Sequence, residues 1–285
     1  MTTGLRADGR TALVTGATSG IGRAVAEALA TAGVSVGIVA RDAVRGEQTR
    51  TQIADATGNE RVALFMGDLS SLASVRRLRG SVAKAYPALD LLIHCAGVYT
   101  RRRTVTGDGF ETMFATNVLG PFLLTDLLLA RLRAARPARI LLLSAPSTVR
   151  LDFDDLHREH RFRSLTAFGA TKAAGLLFTF ELARRLEGTG VTANAVHPGL
   201  VRTNLMRQAR APVRWATWLV SAPPARAAAA IVPLALAPEH EGKTGRFFKG
   251  GREIEPPPYT RDPKVARHLW EECTSLTQLG EGVPA

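Results

Sequence analysis

Six short apolar runs, each separated from the next by a segment of helical spacing, constrain the fold of this 285-residue chain more than any other feature. Thr11–Thr15, Ser35–Ala40, Val62–Met66, Leu89–His94, Ile140–Ser144 and Val191–Val196 are predicted strands of five or six residues. Arg23–Thr31, Val44–Asp55, Leu72–Ala85, Phe110–Arg133 and Thr166–Leu186 are the predicted helices between them. Strands joined by helical crossovers pair in parallel, so the pattern predicts one doubly wound, Rossmann-type α/β domain over residues 1–285. Gly33, just past the first helix, suits a left-handed C-terminal cap. Gly245–Lys249 reads as a last short strand and Arg267–Leu279 as a surface helix. The segment 204–238, rich in alanine and proline and carrying Trp215 and Trp218, breaks the rhythm; it is either a substrate lid or a pair of packing helices.

The loop after the first strand, Thr15-Gly16-Ala17-Thr18-Ser19-Gly20-Ile21-Gly22, opens directly into a helix. Glycines in that context give a tight turn, close backbone approach and anion binding by free N–H groups at a helix N-terminus, the requirements of a dinucleotide pyrophosphate. Arg41 ends the second strand, where a carboxylate would bind the ribose 2′-hydroxyl of NAD. A guanidinium there suits a 2′-phosphate, so NADPH/NADP is the expected cofactor, with Asp42 beside it as a competing reading.

The net charge of +12 invites a nucleic-acid reading, but 32 of the 37 basic residues are arginines scattered along the chain, and only Arg101 to Arg103 form a run of three. A solvated basic surface is expected, without nucleic-acid or membrane partners. Two cysteines, Cys95 and Cys273, give no disulfide framework, and no leader pattern is read at the start, so a cytoplasmic location is expected. Apolar stretches such as Leu119 to Leu132 are interrupted by Asp126 and Arg131 and read as too short to span a bilayer. No His or Cys spacing suggests a metal.

Taken together, Thr15 to Gly22, Asp68-Leu69, Cys95-Ala96-Gly97, Asn117, Phe153-Asp154-Asp155-Leu156, Glu181 to Leu186, and His197-Pro198-Gly199 with Thr203 resemble the short-chain dehydrogenase/reductases from Thr11 to about Leu279. The similar branch is retinol-dehydrogenase-like and includes ketoreductase-like tailoring enzymes of bacterial aromatic polyketides. The resemblance implies that Gly16, Thr18, Ser19, Gly20, Ile21 and Gly22 hold the pyrophosphate. It places Asp68 and Leu69 at the adenine, Ala96 and Gly97 along the cofactor, and Pro198, Gly199, Val201 and Thr203 at the nicotinamide. It also implies a homodimer or homotetramer built on the two long helices.

The family's Tyr-x-x-x-Lys signature falls on Phe168-Gly169-Ala170-Thr171-Lys172, and its catalytic serine on Ala145, with Ser144 or Ser147 as alternative sources of a hydroxyl. Lys172, in a chain that otherwise prefers arginine, is implied to hold the nicotinamide ribose. Asn117 matches an asparagine of the family's proton relay. Tyr99 is a pocket wall or a replacement acid; His157 and His160 could reach the site, and His94 reads as packing. Losing a general acid costs roughly 10² to 10⁴ in rate, so ordinary ketones are poor candidates. Three functions stay open: an NADPH-dependent reductase of an aromatic or quinoid small molecule, with a separate oxygenase as a conceivable partner; a cyclase or lyase on this scaffold; and a non-catalytic NADP(H)-binding regulator.

Overall fold

The computed structural model describes residues 7, 9–202 and 221–279. Eight strands form one sheet in the order β3-β2-β1-β4-β5-β6-β7-β8. They are β1 (Thr11–Thr15), β2 (Ser35–Ala40), β3 (Val62–Met66), β4 (Leu91–His94), β5 (Ala138–Leu143), β6 (Val191–His197), β7 (Phe247–Lys249) and β8 (Arg252–Glu253). All neighbours are parallel except the β7–β8 pair. The helices are α1 (Gly20–Thr31), α2 (Ala43–Thr57), α3 (Leu72–Ala85), α4 (Thr112–Ala135), α5 (Ser164–Arg185), α6 (Pro224–Leu236) and α7 (Pro263–Thr277).

Alternation along each strand sends neighbouring side chains to opposite faces, which divides the core in two. Leu13 faces α3, α4 and α5 with Phe65, Leu78, Phe122 and Phe178. Ala12 and Val14 face the other way, toward α1 and α6, with Val25, Leu29, Ile231 and Val232. Helix α7 adds Leu269, Trp270 and Cys273 to the first layer. Trp270 meets Phe122 edge-to-face at 4.8 Å and stacks on Phe178 at 5.9 Å between ring centroids, so α7 covers part of the apolar face of the two long helices.

Several expectations change. Asp126 and Arg131 do not interrupt α4, whose 24 residues are long and apolar enough to cross a membrane by length and composition; 83% of its most apolar window is buried inside the fold. The described end of the expected lid, 221–238, is largely core: α6 buries Ala227, Ala228, Ile231, Val232 and Leu234 to Leu236 against the α1 side of the sheet. Residues 204–220, with Trp215 and Trp218, lie outside the described residues. Gly33, at φ 84°, follows α1 as the cap requires.

A candidate cofactor and active site

Because β1 to β7 run parallel, their C-terminal ends share one edge, and the strand order turns outward on either side of the β1–β4 pair. Ligands of such sheets bind in the crevice at that switch point. Here the loops after β1, β4, β5 and β6 bring the predicted residues together.

The glycine loop is fixed by close approach. A Cβ on Gly16 would lie 2.7 Å from the backbone N and Cα of Ala96, and one on Gly22 would lie 2.4 Å from the Gly16 carbonyl oxygen. Gly16 and Gly20 also adopt φ of 67° and 55°. Ser19 precedes α1 without capping it with its side chain, so the first-turn N–H groups are left for an anion. The Ala96 N–H donates to Thr15 Oγ1 at 3.2 Å and ties the Ala96-Gly97 segment to this loop.

At the adenosine end, Arg41 is exposed just past β2. Asp42 is engaged elsewhere: its carboxylate caps α2 and accepts from the Arg45 N–H at 2.8 Å. Arg45, which sequence reasoning missed, reaches back across the glycine loop, its Nη2 donating to the Thr18 carbonyl at 3.4 Å. Arg41 and Arg45 thus both follow β2, and Arg45 reaches the glycine loop. Asp68 Oδ1 accepts from the Ser70 N–H and hydroxyl at 2.9 and 2.7 Å. Gly120 lets α4 come close to Leu69, whose carbonyl oxygen would stand 2.4 Å from a Cβ there.

The other end of the crevice gathers Gly97, Asn117, Phe168 and Lys172. Asn117 lies in a π-helical turn, Ala115–Leu119, inside α4, and such turns occur often at functional sites. Its Oδ1 accepts from the Val98 N–H at 2.8 Å, while Nδ2 donates to the Val98 carbonyl at 3.0 Å and to Thr171 Oγ1 at 3.2 Å. Asn117 therefore clamps the loop after β4 to α5. Gly97 leaves room: a Cβ there would stand 3.5 Å from Asn117 Oδ1 and 4.0 Å from Lys172 Nζ.

Lys172 Nζ lies 5.2 Å from the centre of the Phe168 ring and donates weakly to the Leu143 carbonyl at 3.4 Å. Burial away from water lowers its pKa from 10.5 to about 8. The ring offers the ammonium a cation–π contact but no proton and no acceptor.

The hydroxyls weighed as replacements are mostly spoken for. Ser144, 3% exposed, donates to the Lys172 carbonyl at 2.7 Å and pins α5 to β5, which removes it as a free catalytic hydroxyl. Tyr99 packs edge-to-face on Phe168 at 5.7 Å, and its hydroxyl donates to Ser164 Oγ at 2.9 Å; it is a wall. Ala145 contributes only a methyl group. Ser147 accepts from the Val149 N–H at 3.3 Å, and its Oγ would be 3.2 Å from a Cβ on Gly169, next to Phe168.

His94 is 2% exposed, bonded through Nε2 to Thr125 Oγ1 at 2.8 Å, and held neutral by burial with a pKa of about 3. His157 stacks on Phe110 at 5.3 Å and meets the edge of Phe114 at 5.5 Å, and desolvation lowers its pKa. His160 is exposed. Pro198, Gly199 and Val201 follow β6, with Gly199 at φ 77°; Thr203 lies outside the described residues.

Residues 10–214 match the model of the short chain dehydrogenase family. Retinol dehydrogenase 14 of Mus musculus is 39% identical over 282 residues, which cover 92% of this chain and 84% of the relative. Polyprenol dehydrogenase of Mus musculus is 39% identical over 286 residues, covering 96% and 85%. Among solved structures, an uncharacterised protein from Mycobacterium paratuberculosis superposes with a TM-score of 0.76 at 30% identity, covering 100% of this chain and 99% of the other. The Pseudomonas aeruginosa RhlG/NADP complex superposes with a TM-score of 0.71 at 27% identity, covering 86% and 95%. Fold, glycine loop and relatives agree: this chain belongs to the short chain dehydrogenase/reductase family, whose members use NAD(P), and its relatives are retinol-dehydrogenase-like.

Proposed function

We propose that this protein is an NADPH-dependent reductase of an intrinsically electrophilic carbonyl compound, a quinone or an extended aromatic polyketone. The observation that carries this reading is the pairing of an intact dinucleotide cradle with a Phe168–Lys172 pair in which the ring cannot donate a proton. Bound in the crevice, the dinucleotide would supply a hydride. Arg41 and Arg45 would neutralise the 2′-phosphate, which favours the phosphorylated cofactor. The α1 N-terminus would take the pyrophosphate, and Lys172 the ribose hydroxyls.

The protein's part in the reaction is then chiefly positioning. Asn117 holds the Gly97-Val98 backbone in place, Ser144 fixes the turn of α5 that carries Lys172, and Tyr99 with Phe168, packed edge-to-face, forms an apolar wall for an aromatic acceptor. An electrophile that spreads the incoming charge over a ring system can be protonated afterward by water. It does without an acid whose loss would slow reduction of an ordinary ketone by roughly 10² to 10⁴. The relatives' names, retinol and polyprenol dehydrogenase, support nicotinamide-linked carbonyl and alcohol chemistry as the reaction class.

The test is NADPH consumption with a panel of quinones against a panel of aliphatic ketones. Turnover of quinones with little or none of the ketones supports the proposal. Tight NADPH binding without turnover of either panel would overturn it in favour of a regulator, and product formed without NADPH consumption would point to a lyase or cyclase.

A further inference from the structure

The two loops that frame the Tyr99–Phe168 wall carry six arginines in thirteen residues, 99–103 and 157–164, against 32 in the 285 residues of the chain. That density is about four times the background, so the general arginine bias does not account for it. The loops are joined to each other. Arg103 Nε donates to the His157 carbonyl at 3.0 Å, Arg103 Nη2 pairs with Glu159 at 3.1 Å, and the Tyr99 hydroxyl reaches Ser164 at 2.9 Å.

Acidic groups offset only part of this charge. Glu159 is taken by Arg103, and Asp155 faces Arg158 and His160 while accepting the Glu159 N–H. Arg101 and Arg102 are exposed and make no side-chain hydrogen bond or ion pair with another described residue. Arg158 sits at φ 51°, a left-handed conformation that a residue with a Cβ adopts at some cost, so the loop is shaped at this residue and not merely slack.

We propose that this basic collar binds an anionic group, a carboxylate or phosphate, carried by the substrate at the end remote from its reducible carbonyl. Guanidinium forks pair with such groups in a planar, bidentate way, and an acceptor lying along the Tyr99–Phe168 wall extends out between the two loops. The proposal deepens the reductase reading and rests on it for the position of the reacting end, but the binding of the anionic end is measured separately.

The probes are 9,10-anthraquinone-2-carboxylate and its neutral congener 2-(hydroxymethyl)anthraquinone. The proteins are wild type and a triple variant, Arg101→Gln, Arg102→Gln, Arg158→Gly; glycine at 158 suits the observed φ, so loss of fold is not built into the change. Calorimetry on the NADP⁺-loaded protein should show the carboxylate bound about tenfold tighter than the alcohol at low salt, and the preference should vanish in the triple variant and at high salt.

The KM values for NADPH-linked reduction should move in parallel, with the neutral quinone unaffected by the substitutions. A carboxylate preference in binding without turnover of either quinone keeps the collar and overturns the reductase reading. Turnover of both quinones with equal KM and equal affinity overturns the collar and keeps the reductase. Absence of binding by either probe, or a preference that persists in the triple variant, also overturns the collar. So does a collar that retains only an acidic protein and no carboxylate ligand.

Discussion

Lys172 is where pH should be felt most directly. Burial lowers its pKa from 10.5 to about 8, a penalty on the charged form worth about 3 kcal/mol. A cation with a depressed pKa is charged below pH 8 and loses its proton as pH rises through that value. If the ammonium must be charged to hold the ribose hydroxyls, kcat/KM for NADPH, which reports on the free enzyme, should be flat below pH 8. Above pH 8 it should fall about tenfold per pH unit. Lys172→Arg keeps a charge across the whole range, so whatever activity it retains should lose that alkaline limb. Stability gives a second readout with its own sign. Below pH 8 the wild type carries the full cost of the buried charge, so Lys172→Met should be more stable by about 3 kcal/mol. Between pH 8 and 10.5 the folded amine is neutral while the unfolded one stays charged, so wild-type stability rises relative to the methionine variant and the gap closes. Urea titrations of both proteins at pH 7, 9 and 10.5 measure this. An alkaline limb that survives unchanged in Lys172→Arg, together with a pH-independent stability gap, would refute the reasoning.

Arg45→Ala should raise the KM for NADPH severalfold and leave that for NADH nearly unchanged, as read from initial rates with one quinone; equal effects on both would remove Arg45 from the 2′-phosphate site. Gly22→Ala should abolish measurable NADPH binding by calorimetry, because the new Cβ would sit 2.4 Å from the Gly16 carbonyl oxygen and push the loop outward. Trp270→Ala, which empties the contact between α7 and the Phe122–Phe178 pair, should cost about 3 to 5 kcal/mol in chemical denaturation. The pair Phe168→Tyr and Ala145→Ser should raise ketone reduction by at least about tenfold, since it restores a donor one helical turn from Lys172; a flat result would place the missing acid elsewhere.

Much of the frame was legible because it depends on local pattern. The strand bounds at Thr11–Thr15, Ser35–Ala40 and Val62–Met66 were read from the apolar runs themselves, and α3 was read at Leu72–Ala85. What escaped was set at a distance or by one residue of phase. The π turn at Ala115–Leu119 leaves the apolar pattern of α4 nearly unbroken, so periodicity saw one ordinary helix. Strand β8 has two residues and exists only because Gly250 and Gly251, both at positive φ, turn the chain back on β7. For helix α6 the prolines left lid and packing helices undecided, yet Pro224 suits a helix start and Pro233 still permits a buried apolar face. Arg45 looked like one more arginine on an exposed helix, and only the fold brings it to Thr18, 27 positions away.

The same distinction governs the site. The resemblance puts Phe168 and Ala145 at the family's tyrosine and serine positions; whether a neighbour supplies a proton there depends on where each remaining hydroxyl points. Ser144, beside Ala145, and Tyr99, two residues past the Ala96-Gly97 pair, are candidates, and both direct their protons into the scaffold: one to the Lys172 carbonyl, the other to Ser164. Each bond secures α5, the helix that carries Phe168 and Lys172, at a different level. Freeing either hydroxyl for chemistry would loosen the element that positions the lysine. The polar groups here therefore work to hold one ammonium beside an aromatic face. On the proposed function, an arrangement of that kind positions an acceptor that needs no strong acid, which the contrast between quinones and ketones tests.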